Sequence, residues 1–389
     1  MSDDELNRTK NSNLSSAKKA KFDEFYTQYH DIEREMNAYL DLNKDVLRDK
    51  TILLPCDDPE WSNFTKYFAQ NFERLGLKKL ISTSYAPDSK PQELNLQLTL
   101  FETESPKFDK AKARANGKIY TLTRDATGDK KINVEDLEWE YLKGDGDFRS
   151  MEVTALRDEA DVVITNPPFS LFREFLDWIV SAGKNLVIIG SMNAITYREV
   201  FPLIKENKIW LGNGFKGGAS EFISPRVQGE TSGGPLEGSG LVKFGNVVWF
   251  TNLEHGRRHQ PLTLMTEDDN IKFSKHKEVK GVGYHRYQNY EAIDVPFTDA
   301  IPSDYRGTMG VPISFLSKYN PEQFVIIGNG QTMANELGIE PVGDQFVEDY
   351  YAQGNTGSIN PKWNNLVYRI GKKVVIPYQR ILIRHKRAS

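Results

Sequence analysis

The sequence holds one cysteine, Cys56, in 389 residues. A single thiol cannot build a disulfide framework, and such poverty in cysteine points to a reducing compartment. Histidine is also scarce, and its six copies are scattered without the spacing of a metal site. No apolar run reaches the ~20 residues of a membrane helix, and the first residues lack the apolar stretch of a secretory signal. The protein is therefore expected to be cytoplasmic, with no membrane partner. Charge of one sign is lacking too: the formal net charge is −4, so no global field advertises nucleic acid. With 39% hydrophobic and 27% charged residues, the chain has core enough for two domains or three.

What is present centres on residues 161–179. Asp161 to Thr165 is a short β-branched run, which predicts a buried parallel strand. Leu171, Phe172, Phe175, Leu176 and Ile179 recur at helical spacing. Between them stand Asn166, Pro167, Pro168 and Phe169, at the carboxyl end of the strand, where open α/β sheets hold their ligands.

These four residue types suit one chemistry. An exocyclic amine on a nucleobase is a poor nucleophile because its lone pair is delocalised into the ring. Two hydrogen-bond acceptors on its N–H bonds draw the nitrogen toward tetrahedral geometry. The Asn166 side-chain oxygen can be one, and the Pro167 carbonyl the other. Consecutive prolines fix φ and remove donors, so the turn is rigid and presents acceptors. Phe169 offers a face for stacking a base. The plainer alternative is a strand-ending turn, since Asn and Pro are common turn formers.

Elsewhere, residues 1–20 are polar and predict a disordered basic arm containing Lys18 and Lys19. Thr51 to Leu54 and Leu80 to Tyr85 read as strands about a helix from Ser62 to Phe72, in the β-α-β order of a doubly wound sheet. Residues 86–143 interrupt that rhythm as an insertion, with a hairpin between Lys118 and Leu142. Leu186 to Gly190 predicts another buried strand, and Thr196 to Ile204 a helix. Ten glycines fall between Gly212 and Gly245, in a long loop flanked by the apolar strands 209–211 and 247–250. After residue 255 the sheet rhythm ends. A catalytic domain over 21–255 and a second domain over 256–389 are expected.

Acids stand where strands end: Asp57 and Asp58 after the first strand, Asp145 and Asp147 in a Gly/Asp loop before the 161–165 strand. Such acids can bind ribose hydroxyls or an ammonium group, Phe148 can pack on an adenine, and Tyr26 on a cation. From Lys362 to the end lie eight Lys/Arg and no acid, including Lys372 and Lys373; this is a phosphate-binding patch or a solvated tail.

The chain resembles the EcoRI-type adenine-N6 DNA methyltransferases. The resemblance rests on residues 21–29 (KFDEFYTQY), 56–64 (CDDPEWSNF), 76–81, 144–150 (GDGDFRS), 161–174 (DVVITNPPFSLFRE), 195–212, 249–253, 305–324 and 380–384. It is weak over 86–143, 213–246 and 325–379. It implies a Rossmann-like α/β fold that uses S-adenosylmethionine, with a carboxyl-terminal DNA-recognition region. In that family pattern Phe25, Tyr26 and Thr27 stand at the motif that wraps the cofactor. Cys56, Asp57 and Asp58 stand at a cofactor loop that departs from the usual glycine pattern. Asp147 and Phe148 occupy the third motif, and Asn166 to Phe169 the catalytic fourth, with Asn166 also near the cofactor.

The implied reaction is methylation of an adenine swung out of double-stranded DNA, with GAATTC as the site the resemblance suggests, in a protein that is part of or derived from a restriction-modification system. A monomer on DNA is expected. Arg257, Arg258, Arg306, Lys372 and Lys373 are DNA-binding candidates, with Asn329 and Gln331 as further base readers. The alternatives are an RNA or guanine-N2 methyltransferase of the same fold, a DNA-binding relative without turnover, and, on the faint hint of Pro87-Asp88, a fused nuclease.

Overall fold

The computed structural model describes residues 26–56, 62–86, 105–215, 220–223 and 241–386. The chain divides into two compact units, Met1–Met192 with Leu211–His255, and Asn193–Trp210 with Gly256–Ser389. Residues 193–210, expected with the catalytic part, group with the second unit.

In the first unit a short strand β1 (Tyr26–Thr27) precedes helix α1 (Tyr29–Leu42). Then come β2 (Thr51–Leu54), α2 (Asn63–Gln70) and β3 (Lys79–Ser84), followed by the hairpin β4 (Lys118–Leu122) and β5 (Glu138–Tyr141). Next are α3 (Met151–Glu159), β6 (Val162–Thr165), α4 (Phe172–Val180) and β7 (Asn185–Ser191). After β8 (Trp210–Leu211) come β9 (Ser220–Ile223), β10 (Leu241–Phe244) and β11 (Val247–Thr251).

One sheet of eight strands runs β5-β4-β3-β2-β6-β7-β11-β8. Its centre, β3-β2-β6-β7, is parallel. Every residue of β2 and β6 is buried, as a strand covered on both faces must be. The β4–β5 hairpin pairs antiparallel and also extends the main sheet through β3. The hairpin expected between Lys118 and Leu142 forms, and its pairing with β3 is the part that local patterning could not show. β9 is flanked by β1 and β10 in a small separate sheet.

Helix α4 buries Phe172, Phe175, Leu176 and Ile179, the face that the spacing predicts. Phe172 lies against the bare backbone of Gly190 on β7: a Cβ there would sit 2.3 Å from the ring. Only glycine lets the helix after the Asn-Pro-Pro-Phe turn settle so close to the sheet.

The second unit contains α5 (Phe201–Lys205), α6 (Glu267–Phe273), β12 (His285–Arg286), β13 (Ala292–Asp294), β14 (Thr308–Pro312) and β15 (Phe324–Asn329). It continues with α7 (Asp344–Ala352), β16 (Tyr368–Ile370), β17 (Lys373–Val375) and β18 (Arg380–His385). Where the sequence shows no sheet rhythm, five strands nonetheless form a sheet in the order β12-β13-β14-β18-β15. β13 and β14 are parallel, and β18, from the far end of the chain, fits between β14 and β15. Short strands paired over such separations leave no local signature. Among the described residues no helix is long and apolar enough to cross a membrane.

Candidate active site

The parallel strands β2, β3 and β6 deliver three chain segments to one edge of the sheet. β3 pairs with one side of β2 and β6 with the other, so the strand order reverses between β2 and β6. That is the switch point at which doubly wound sheets open a ligand crevice. On the β2 side emerge Pro55 and Cys56; on the β6 side emerges Asn166.

The Asn166-to-Phe169 turn is half-buried except for Pro167, which is buried. Pro168 has φ −55° and ψ 122°, the extended geometry proline favours. The Leu171 N–H donates to the Pro168 carbonyl at 3.0 Å, closing a tight turn into α4. Phe169 is partly buried and packs one side against the main core, leaving the ring partly open. The turn is therefore held from behind by packing and from within by proline.

The Gly/Asp loop docks on the end of β3. The Ala86 N–H donates to the Asp145 carbonyl at 2.7 Å. Gly146 has φ +87°, and a Cβ there would lie 2.3 Å from the Ser84 carbonyl oxygen, so this glycine is required twice over. Burial, and then the Asp145 carboxylate hydrogen-bonded to it, push the Tyr85 phenol above its ordinary pKa.

Asp147 is differently engaged from the expectation. One of its oxygens accepts from the Arg149 backbone N–H and Nε at 2.8 and 2.9 Å, the other from Nη2 at 2.6 Å. The Arg149 guanidinium holds the Asp147 carboxyl below its usual range. Phe148 is buried, edge-on to Phe175 and Trp178 with ring centres 5.0 and 5.5 Å away. It is spent on the core, and the expectation of a ring open to an adenine gives way to packing.

Thr27 is buried, and its carbonyl accepts from Asn63 Nδ2 at 2.8 Å. This ties the amino-terminal segment to the start of α2, where Ser62 caps the helix by accepting from the Phe64 N–H. Tyr26 and Thr27 also pair with Ile223 and Phe222 on β9. Phe25, Asp57 and Asp58 lie outside the described residues, as do Lys18, Lys19, Pro87 and Asp88. Cys56 is half-buried.

A residue that sequence reasoning passed over sits below the glycine-rich segment. Glu35, on α1, is fully buried. It accepts from Tyr39 Oη at 2.5 Å and from the backbone N–H groups of Asn213 and Gly214 at 2.9 and 3.0 Å. A Cβ at Gly212 would collide with its carboxylate. Burial dominates and raises its pKa from 4.5 to about 7, against the lowering pull of these bonds. The folded state thus favours the neutral acid. Its stabilising contribution is complete below pH 4.5 and lost as pH rises through about 7, an effect on the order of 3 kcal/mol at most. Glu35→Gln should flatten the decline in melting temperature between pH 5 and 8; parallel curves for parent and variant would refute this.

Among the DNA-binding candidates, Arg306, Lys372 and Lys373 are exposed and Arg257 is half-buried. Arg258 is only 6% exposed. Its guanidinium lies 3.7 Å over the Trp210 ring and donates to Asn207 Oδ1 at 2.9 Å. That buried cation–π contact replaces the expected DNA contact with a packing role. Asn329 is likewise internal, its Oδ1 accepting from the N–H groups of Gln331 and Thr332, whereas Gln331 is exposed. Arg380 is bound to the buried Asp294 and Arg369 to Asp349. Among the basic side chains described after residue 361, Lys362, Lys372, Lys373, Arg384 and Lys386 are exposed.

Comparison with known proteins identifies the family. The model of the family described as "Adenine-specific methyltransferase EcoRI" matches residues 13–386. The chain is 43% identical over 317 residues to the Type II methyltransferase M.EcoRI of Escherichia coli, covering 81% of this chain and 88% of that protein. It is 31% identical over 318 residues to M.MpnI of Mycoplasma pneumoniae, covering 81% and 84%. It is 33% identical to M.MgeORF184P of Mycoplasma genitalium over the same length, covering 81% and 85%. No solved structure matches. With an Asn-Pro-Pro-Phe turn at the point of strand reversal and a family match over nearly its whole length, the chain belongs to the EcoRI family of adenine-specific methyltransferases.

Proposed function

We propose that this adenine-specific DNA methyltransferase swings one adenine out of duplex DNA and holds its N6 amine in the Asn166-to-Phe169 turn. The observation that carries this reading is the adjacency of that turn to the end of β2 across the point of strand reversal. Asn166 Oδ1 and the Pro167 carbonyl accept from the two N–H bonds of the amine, and Phe169 stacks on the ring. The amine becomes acidic once it bonds to a fourth group, so no strong base is needed.

The cofactor implied is S-adenosylmethionine, which supplies an electrophilic methyl group when bound. The donor and acceptor set at the crevice suits it. Asp145 offers acceptors for hydroxyls or an ammonium; Asp57 and Asp58, which follow β2 in the sequence, are the family's candidates for the same role. Cys56 offers a small apolar contact, and Thr27 is tied to the start of α2 through Asn63. Asp147 serves by fixing Arg149 and the loop. Rate is gained through orientation and exclusion of water, which the rigid turn favours.

The second unit, with Lys372, Lys373, Arg306 and Arg257, carries the DNA-recognition role in this reading, together with the glycine-rich segment. The relationship to M.EcoRI favours GAATTC as the site. Sequencing that detects modified bases, applied to DNA from cells expressing the protein, should find N6-methyladenine at one fixed position of a short recurring site. Modified cytosine alone, or methylated RNA with unmodified DNA, would overturn the proposal.

A further inference from the structure

Hairpin β16–β17 carries Lys372 and Lys373 and, beside them, Ile370, which the reading above leaves without a role. Its register pairs Tyr368 with Val375, Arg369 with Val374 and Ile370 with Lys373, so Gly371 and Lys372 form a two-residue turn. Gly371 has φ +59°, a turn geometry that glycine supplies without strain. The hairpin is braced from α7 and the residue after it. Gln353 donates from Nε2 to the Lys372 carbonyl at 3.1 Å and accepts from the Val374 N–H at 3.2 Å. Arg369 pairs with Asp349 at 2.7 Å.

Side chains alternate across a ribbon. Val374 is buried beside Phe346 and Val342, so the face it shares with Arg369 is turned inward. The opposite face carries Ile370 and Lys373 as cross-strand neighbours. Ile370 is 49% exposed, and Lys372 and Lys373 are exposed beside it. A braced ribbon thus holds a half-exposed apolar side chain at its tip, with Lys373 across from it and Lys372 in the turn. The cations fix the occupant: a polyanion with apolar groups recessed between its charges.

We propose that hairpin β16–β17 enters the major groove of duplex DNA, with Ile370 against a thymine methyl and Lys372 and Lys373 on flanking phosphates. The major groove admits a two-stranded ribbon, and the thymine C5-methyl is its one apolar feature. The inference rests on the reading that the second unit contacts DNA, and it makes Ile370 a determinant of specificity, with no part in the chemistry.

The test uses the full chain and duplexes containing the mapped methylation site. Each thymine in turn is replaced by deoxyuridine, which deletes one methyl group. The parent should lose about fourfold in affinity at one thymine position, the worth of one buried methyl. Ile370→Ala should bind more weakly, be indifferent to that replacement, and keep the parent's salt dependence, because an apolar contact releases no counterions. Lys372→Ala with Lys373→Ala should instead lower the slope of log affinity against log salt by about 2 and keep the deoxyuridine effect. A parent indifferent to every replacement, or an Ile370→Ala variant that feels it as the parent does, overturns the groove contact. An unchanged salt slope in the lysine variant overturns DNA binding by this surface altogether, so the two failures are distinguishable.

Discussion

Asn166→Ala is expected to lower methyl transfer by about a thousandfold while DNA and cofactor affinities stay within about threefold. The size follows from the general worth of a preorganised polar group aimed at a reacting centre, roughly 10² to 10³ in rate. The acceptor's pull strengthens as positive charge develops on the amine, so the rate falls far more than ground-state binding does. The turn itself should survive, because Pro168, Leu171 and the face of α4 hold it. Single-turnover transfer of a tritiated methyl group measures the effect directly. Asn166→Asp, which keeps an acceptor at nearly the same place, should retain part of the rate. Turnover of Asn166→Ala equal to the parent would remove the central role given to this side chain.

The second large effect concerns the scaffold of the other unit. Asp294 is 2% exposed and accepts from Tyr287 Oη at 2.6 Å and Arg380 Nε at 2.8 Å. Tyr287 reaches it across Gly310, where a Cβ would sit 2.2 Å from the phenol oxygen. The arrangement joins β13, β14 and β18 at one point. Burial, and then Asp294, push the Tyr287 phenol well above its ordinary pKa, as expected of a donor locked to a carboxylate. Asp294→Ala leaves a mostly buried guanidinium, held then only by the Tyr378 carbonyl, and a buried phenol, a loss of roughly 3 kcal/mol. The melting temperature should fall by about 10 °C. Adding Arg380→Met should restore part of the loss, because the charge left alone is then gone. A melting temperature within about 1 °C of the parent for Asp294→Ala would show that water reaches the pair and screens it.

What the sequence made legible was local. The run 161–165, the proline turn and the apolar face of α4 are written within about twenty residues, so periodicity and turn chemistry suffice. The β4–β5 hairpin was visible for the same reason, but its pairing with β3 was not. The five-stranded sheet of the second unit was hidden because β18 completes it from the end of the chain. Residue types also misled. Arg258 and Phe148 suggested ligand contacts by their chemistry, yet both are buried, and burial is a property of the whole fold. Glu35 erred in the opposite sense: an acid in a polar helix reads as solvated, and only the approach of Asn213 and Gly214 shows otherwise. The spacing of Glu35 and Tyr39, one helical turn apart, was the single clue available.

The ladder between β1 and β9 has a thermodynamic corollary. It stitches the segment just after Phe25 to a strand within the glycine-rich stretch. If the methyl donor steadies one and the polynucleotide steadies the other, neither can dock without preorganising its companion's seat. Linkage then obliges each to tighten the other by an identical factor, and a shared strip of backbone amides becomes the means by which an enzyme with both guests aboard differs from one holding either alone.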